Sequence, residues 1–451
     1  MKKSLLILLG YLAFYPSTSY SQSILDSYLE EGIKNNLVLK EKNLDLDRSL
    51  LDLKDAKSYF LPSLDFSANY TLASGGRTID IPIGNLLNPV YTTLNQLTGS
   101  SAFPQLENVS EQFLPDNFYD ARFRVSMPLY NRDLMAQKQI RVNQSLLSEY
   151  ELEIYRANLI QDIKTAYYNY CMASTAVEVI ESSKSLVEQN LKVNQSLQAN
   201  GKALPAAVLR AESEVESIEA MLIDAKNQQK NAANYFNFLL NRPMNTEIEK
   251  ADLSQSSLEL ISELEEVTIQ GRPESLRVQT ATLIQQTALK ANQNFWVPKL
   301  NTFADLGSQA FDWRFDSQSR YLIWGLNLSV PIFQGNRNRT QIQRAQLGIQ
   351  SLQNQQQLLD QKLEMELQLA KNELISQKAA LESATKKLSS ATAYFRLVER
   401  GYREGVNSLI EFIDARNQLT TASLQKNLST YKLLKANAQL ERQLHTVTPK
   451  P

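Results

Sequence analysis

Cysteine and histidine are nearly absent from this chain of 451 residues, which has one of each, Cys171 and His445. A single cysteine forms neither an internal disulfide nor a Cys-based metal cluster. Glycine and proline are also scarce, with 14 of each. Since these two residues mark most turns, their scarcity indicates that the chain lies mainly in long helices and strands.

The sequence also lacks an excess of charge and long apolar runs. Its 47 basic residues nearly balance 48 acidic ones, so nothing indicates a nucleic-acid partner. Beyond the N-terminus, no run reaches about 18 apolar residues, the length of a membrane-spanning helix. Motifs for phosphate binding, nucleophilic catalysis and paired-histidine metal sites are missing. We therefore expect no enzymatic activity, no metal and no other cofactor.

The N-terminus has the pattern of a secretory signal peptide. Lys2 and Lys3 precede an apolar segment from Leu5 to Phe14, and Ser19-Tyr-Ser21 is a small-x-small cleavage site. We predict a signal peptide over residues 1–21 and export from the cytoplasm. Without later helical spans, such a protein would enter a membrane only through strands.

Four segments alternate as membrane strands do. From Leu322 to Val330 every even position is apolar, and Arg122 and Arg124 lie on the polar face of an earlier segment. An apolar outer face and a charged inner face are typical of a transmembrane barrel, whereas a soluble sandwich is the alternative. Phe303 is an exception, since it falls on an otherwise polar face. The predicted strands are at about 61–72, 118–129, 297–307 and 320–332.

Two long helices are predicted after the second and fourth strands, over about 132–199 and 336–400. Their apolar residues recur at steps of three and four, which is coiled-coil spacing. An offset of 204 residues takes Gly201 to Gly405 and Ala211 to Ala415, which indicates an internal repeat. The predicted domains are a first repeat at 22–242, an inter-repeat segment at 243–272, a second repeat at 273–445 and a tail at 446–451. Within the first repeat, residues 73–116 are rich in Gly, Asn and Pro and are predicted to form an enlarged loop.

Four strands are too few to close a barrel, and an open sheet edge in lipid leaves backbone groups without partners. The barrel is therefore expected to be shared among two, three or four copies of the chain. The alternative is a secreted coiled-coil scaffold or adaptor protein without a pore. A porin formed by one chain would need many more strands.

The duplicated unit, the strand ends Ser126-Met-Pro128 and Ser329-Val-Pro331, and the turn motif Gly401-Tyr-Arg-Glu-Gly405 resemble those of TolC-like outer membrane factors. The resemblance implies a mostly α fold with membrane β-hairpins. In that fold a homotrimer forms a 12-strand β-barrel in the outer membrane, continued by a 12-helix α-barrel tunnel that extends into the periplasm.

The resemblance also implies the function. The chain would be the outer-membrane exit duct of a tripartite efflux pump or a type I secretion system. It would passively conduct substrates delivered by an inner-membrane transporter and a periplasmic adaptor, with its strands facing outer-membrane lipid. Drug efflux and protein secretion both remain open at this point.

By the same resemblance, Glu411 and Asp414 match acidic positions around the pore constriction, and Tyr402 and Asn407 hold neighbouring helices closed. Glu411 has an alternative role, because Ser408 and Glu411 have the spacing of a helix capping box. Capping does not explain Asp414, which lies almost one turn further along. The helix-to-helix turns are expected to contact the adaptor through Gly201, Leu204, Gly405, Val406 and Ser408.

Overall fold

The computed structural model describes residues 20–250 and 271–444. Most of the predicted signal peptide (1–19), the middle of the inter-repeat segment (251–270) and the predicted tail with His445 lie outside the described residues. The described part is mostly helical with a few strands, as predicted. Its elements are α1 (Tyr20–Asn35), α2 (Leu37–Ser58), β1 (Ser63–Thr71), β2 (Thr78–Ile81), α3 (Ile83–Thr98), β3 (Val109–Gln112), β4 (Phe118–Tyr130), α4 (Arg132–Ala199), α5 (Pro205–Leu239), α6 (Pro273–Gln293), β5 (Lys299–Phe311), β6 (Arg320–Ser329), α7 (Arg337–Arg403) and α8 (Leu409–Leu444).

The chain forms two compact units. The strand unit comprises Leu50–Val142 and Ile284–Gly348, and the helical unit takes in the chain up to Ser49, Asn143–Leu283 and the chain from Ile349 onward. Among the helices of 20–250 and 271–444, none combines the length and the apolar character that a membrane span requires.

One antiparallel sheet of four strands, in the order β1-β4-β5-β6, organises the strand unit. Its strands alternate in the way the sequence predicts, so that one face is apolar and the other carries charged groups. In the described part of the chain, the outer edges of β1 and β6 have no partner strand. The apolar face is exposed in the single chain and includes Leu64, Phe66, Phe123, Leu306, Leu322, Trp324, Leu326 and Leu328.

The polar face of this sheet carries ion pairs. Arg124 donates through Nε and Nη2 to the two carboxylate oxygens of Asp305, at 2.7 and 2.6 Å, and Asp305 is only 2% exposed. Tyr321 donates to Asp120 at 2.7 Å, and Arg122 lies 3.2 Å from Asp120. A slip of one residue would move each strand's charged side chains to the other face. These contacts therefore help to fix the register of β4, β5 and β6.

Phe303, the apolar exception on the polar face, has a specific place in the structure. It lies directly opposite Gly325 on β6, where an added Cβ would meet the phenyl ring at 2.8 Å. The Arg124 guanidinium lies 5.1 Å from the centre of the same ring. The ring thus fills the space left by a glycine and stacks with a cation.

The connection at 73–116 is enlarged, as predicted, but its prediction as an irregular loop is wrong, since this segment contains the two-stranded ribbon β2–β3 and the helix α3. Asn88 of α3 accepts from the backbone N–H of Leu106 at 2.8 Å and donates to its carbonyl at 2.9 Å. Asn95 pairs with Phe103 in the same way, at 3.0 and 2.7 Å. Two amide side chains therefore satisfy backbone groups that would otherwise need a partner strand. Asparagine is common in irregular loops, but here its side chains stabilise an ordered segment.

The helical unit has the internal repeat in its core. Residues separated by 204 positions are buried in both copies, including Ile163 with Leu367 and Ala211 with Ala415. This equivalence follows from the repeated apolar spacing, because each helix presents the same face to its neighbours. The boundaries of the predicted repeats remain predictions.

A charged cluster joins three helices of this unit around Glu274 of α6. Arg272 lies 3.0 Å and Arg442 of α8 lies 2.5 Å from its carboxylate, and Arg442 also donates to Asn158 of α4 at 2.7 Å. Burial acts to raise the pKa of Glu274, but the two arginines outweigh burial and lower the pKa to about 2. The folded protein therefore favours the charged carboxylate strongly.

We predict that Glu274 makes the stability of the helical unit depend on pH. Because its pKa falls from 4.5 to about 2 on folding, its contribution is complete above about pH 4.5 and is lost as the pH falls toward 2. The expected contribution is about 2 kcal/mol once solvent screening is allowed for. Thermal unfolding at pH 5 and pH 3 tests this: Glu274→Gln should be less stable than the unaltered protein at pH 5 and should lose less stability on acidification.

The same change at Glu382, which is exposed and pairs with Lys386 on its own helix, is the control. Equal acid sensitivity of Glu274→Gln and the unaltered protein would contradict the prediction.

Candidate functional site

The turn between α7 and α8, the second tip, ends one long helix and begins the next within five residues. Val406 donates its backbone N–H to the Gly401 carbonyl at 2.7 Å, and Gly405 donates to Tyr402 at 3.1 Å. This is a Schellman motif, in which the residue after the helix adopts a left-handed conformation. Gly405 has a φ of +79°, which explains why glycine stands there.

The turn between α4 and α5, the first tip, repeats this geometry 204 residues earlier. Lys202 donates to the Leu197 carbonyl at 2.8 Å, and Gly201 donates to Gln198 at 2.9 Å. Gly201 has a φ of +66°. The following helix begins differently, however, because Pro205 at its first turn takes the place of a capping side chain.

Glu411 forms the capping box that its spacing from Ser408 predicts. Its Oε2 accepts from the Ser408 backbone N–H at 2.7 Å, and the Glu411 N–H donates to Ser408 Oγ at 3.3 Å. Asn407 also donates to Oε2, at 3.3 Å. The Ser408 backbone, Asn407 and the Ser408 hydroxyl, in that order of effect, lower the pKa of Glu411. Glu411 is thus a helix cap that remains charged.

Asp414 has no capping contact among the described residues. Its carboxylate accepts from Gln418 of the same helix at 2.7 Å. Asp414 and Glu411 are both exposed, and their spacing of three places them on one side of α8. The structure therefore brings together two exposed carboxylates beside the second tip, only one of which serves the helix end.

Tyr402 and Asn407 behave differently within one chain. The Tyr402 hydroxyl donates to Asn194 of α4 at 3.3 Å, and its ring stacks on Phe412 with centres 5.0 Å apart. Asn407 contacts its own tip, and a Cβ at Gly401 would collide with its side-chain oxygen. Tyr402 therefore links the two long helices, whereas Asn407 packs against the turn.

Arg416 is a site residue to which the sequence alone assigns no role. It is 3% exposed, and its Nη2 lies 2.6 Å from Glu214 of α5. Its Nη1 donates to Ser183 of α4 at 3.4 Å. Burial lowers the pKa of Arg416, and Glu214 opposes that effect. The only signal in the sequence is a charge adjoining the buried position Ala415.

No group of three His, Cys, Asp or Glu side chains within the described ranges has the geometry to hold a metal ion. The chemistry available at the second tip is therefore that of fixed charges and helix contacts. Exposed carboxylates favour cations, and contacts such as Tyr402 to Asn194 hold helices together.

A sequence model of the outer membrane efflux protein family matches residues 29–242 and 272–444. The chain belongs to this family. TolC of Escherichia coli K12 is 21% identical to it, over 99% of this chain and 87% of TolC. The solvent efflux pump outer membrane protein SrpC of Pseudomonas putida is 22% identical, over 78% of each chain. The CmeC outer membrane channel of Campylobacter jejuni has the same fold, with a TM-score of 0.74 at 15% identity over 98% of this chain and 94% of CmeC.

These similarities confirm the predicted family, fold class and location. This outer membrane efflux protein is an outer-membrane channel protein with a long periplasmic extension, and it is not an enzyme. Its role as an outer-membrane efflux duct follows from the family. The roles of the individual residues at the tips remain predictions.

We predict that the Arg416–Glu214 pair stabilises the helical unit. Replacing Arg416 with Ala should lower the free energy of unfolding by about 2 kcal/mol, because Glu214, in a largely buried position, then loses its buried partner and keeps only Arg210 of its own helix. Chemical denaturation followed by circular dichroism measures this change.

The control is Arg400→Ala, which removes an exposed ion pair between the end of α7 and Glu404, the residue that follows it, and should change stability little. A double variant, Arg416→Met with Glu214→Leu, should recover much of the loss. If Arg416→Ala and Arg400→Ala lower the free energy of unfolding equally, the buried pair stabilises the protein no more than an exposed pair does.

Proposed function

We propose that this protein is the exit duct of a tripartite efflux pump or type I secretion system. It receives substrates from an inner-membrane transporter through a periplasmic adaptor and conducts them passively across the outer membrane. The observation that carries the proposal is the combination, in an outer membrane efflux protein, of a four-stranded sheet with an exposed apolar face and exposed carboxylates beside a helical tip.

The proposed assembly is a homotrimer. Three copies of the four-stranded sheet make twelve strands, and β1 of each copy pairs with β6 of the next. Every strand edge then has a partner, as lipid requires. The apolar face, with Leu322 and Trp324 among its exposed residues, meets the lipid. The helices α4, α5, α7 and α8 of the three copies together form the twelve-helix periplasmic tunnel.

We place the pore constriction at the second tip. Three copies arrange Glu411 and Asp414 around the opening, where carboxylates favour cations over anions. The capping role of Glu411 is compatible with this one, because the pKa of Glu411 is lowered and the cap keeps its charge. Tyr402 holds α7 against α4 through Asn194. The Asn407 side chain packs against the turn of its own chain and stabilises it.

The adaptor is proposed to dock at the two tips. Exposed apolar side chains stand there in the single chain: Leu204 is 75%, Val406 79% and Ile410 76% exposed. Apolar groups of this size rarely stay exposed together unless they meet a partner. Gly201, Gly405 and Ser408 form the turns that present them.

The proposal predicts small, cation-preferring channels in planar bilayers. Changing Glu411 to Gln together with Asp414 to Asn should reduce the cation preference severalfold, because both charges beside the opening are removed. Gln at the third helical position retains a capping box, so the turn should be preserved. Single-channel reversal potentials in a salt gradient measure the change.

Ser408→Ala is the matched control, since it weakens the cap by about 1 kcal/mol but keeps both charges. It should leave the selectivity unchanged. Selectivity that is equal in the double variant and the unaltered protein would keep the duct but remove these residues from the constriction. Folded protein that never forms channels would favour the scaffold without a pore.

A further inference from the structure

The two helical hairpins of one chain, α4–α5 and α7–α8, share a register but differ in what covers them. On the first hairpin, α8 covers a groove in which Arg416 reaches Glu214 and Ser183. Thr420, one turn beyond Arg416, lies 2.9 Å from Ser183 between the two hydroxyl oxygens. Ser183 is consequently 4% exposed, and the neighbouring Val187 also 4%.

The equivalent groove on the second hairpin is open. Adding 204 to Ser183 and Glu214 gives Lys387 and Gln418, which line a groove together with Ser390 and Tyr394. Lys387, Ser390, Tyr394 and Gln418 are exposed, in contrast to the buried Ser183. Within the part of the chain that the structure describes, the second hairpin therefore has the groove without a helix that fills it.

The element that corresponds to the covering helix is α5. Subtracting 204 from Arg416 and Thr420 gives Glu212 and Glu216. Both glutamates are exposed, and neither forms an ion pair within residues 20–250 and 271–444. The helix α5 thus carries two carboxylates at the positions that face the covered groove in α8, and the open groove carries an exposed lysine.

In the proposed trimer, α5 of a second copy lies at the groove of the second hairpin, and from this correspondence we infer that its Glu212 and Glu216 form ion pairs with Lys387 there. This inference rests on the proposed trimer, in which the second hairpin of each copy adjoins the first hairpin of the next. The contact between copies uses positions equivalent to those of the contact within one chain. The acidic side chains, however, now lie on the covering helix and the basic side chain lies in the groove.

The reversal of charge also disfavours contacts between two hairpins of the same kind. If α5 covered the groove of another first hairpin, Glu212 would face Glu214. If α8 covered the groove of another second hairpin, Arg416 would face Lys387. Like charges in a partly buried interface are unfavourable. The two kinds of hairpin therefore alternate around the assembly, as closure of a ring from duplicated chains requires.

Disulfide formation tests the inferred contact directly. The hydroxyls of Ser183 and Thr420 lie 2.9 Å apart, so cysteines at these two positions can bring their sulfur atoms close enough to react. Lys387→Cys with Glu216→Cys should therefore link neighbouring copies and convert most of the protein to a covalent trimer on a non-reducing gel. The native Cys171 should not interfere, since it is 1% exposed and burial raises its pKa to about 12.

Two paired variants serve as controls. Ser183→Cys with Thr420→Cys should form its disulfide within one chain and remain monomeric on the gel. Lys378→Cys with Glu216→Cys places the first cysteine elsewhere on α7 and should give no covalent trimer. If the variant with Lys387→Cys and Glu216→Cys forms no cross-link, whereas the variant with Ser183→Cys and Thr420→Cys forms its disulfide, the inference is overturned.

Charge reversal provides a second test and separates this inference from the proposed function. Lys387→Glu should markedly reduce the fraction of trimer that survives dilution in detergent, and adding Glu212→Lys and Glu216→Lys should restore it. Lys378→Glu should have little effect. Light scattering of the unaltered protein gives its oligomeric state. A trimer that lacks the cross-link overturns only the contact between copies, whereas a monomer would overturn the trimer as well.

Discussion

Backbone N–H and C=O groups inside a bilayer need hydrogen-bond partners from protein, because lipid offers none. Among the residues that the structure describes, the sheet β1-β4-β5-β6 satisfies its internal ladders but leaves one edge of β1 and one edge of β6 open. Its exposed apolar face suits contact with lipid. A chain of this family with such a sheet is incomplete by itself, and its need for neighbours underlies the proposed assembly.

Duplication allows one chain to supply two kinds of neighbour for a ring. The tips have the same backbone hydrogen bonds, with glycine in the left-handed region at Gly201 and at Gly405. The side chains on the hairpins differ where the inferred contact between copies lies, because Arg416 and Glu212 occupy equivalent positions with opposite charge. Repeated backbone geometry thus provides the common architecture, and in the inferred assembly charge distinguishes the contact within a chain from the contact between chains.

The strands and long helices were predictable because their patterns depend only on residues of one element, such as the alternation from Leu322 to Val330. The capping box of Glu411 was predictable for the same reason. The Arg416–Glu214 pair was not, since it depends on how α4, α5 and α8 are rotated against one another. Helix α3 was missed because asparagines such as Asn88 and Asn95 are typical of loops, although here they bind the backbone of a neighbouring segment.

The most direct test of the proposed duct is electron cryomicroscopy of the protein in lipid nanodiscs. The account predicts three copies around one axis, with β1 of each copy hydrogen-bonded to β6 of the next in a closed barrel within the lipid. A particle with another number of copies, or with the β1 and β6 edges unpaired in the membrane, would contradict it.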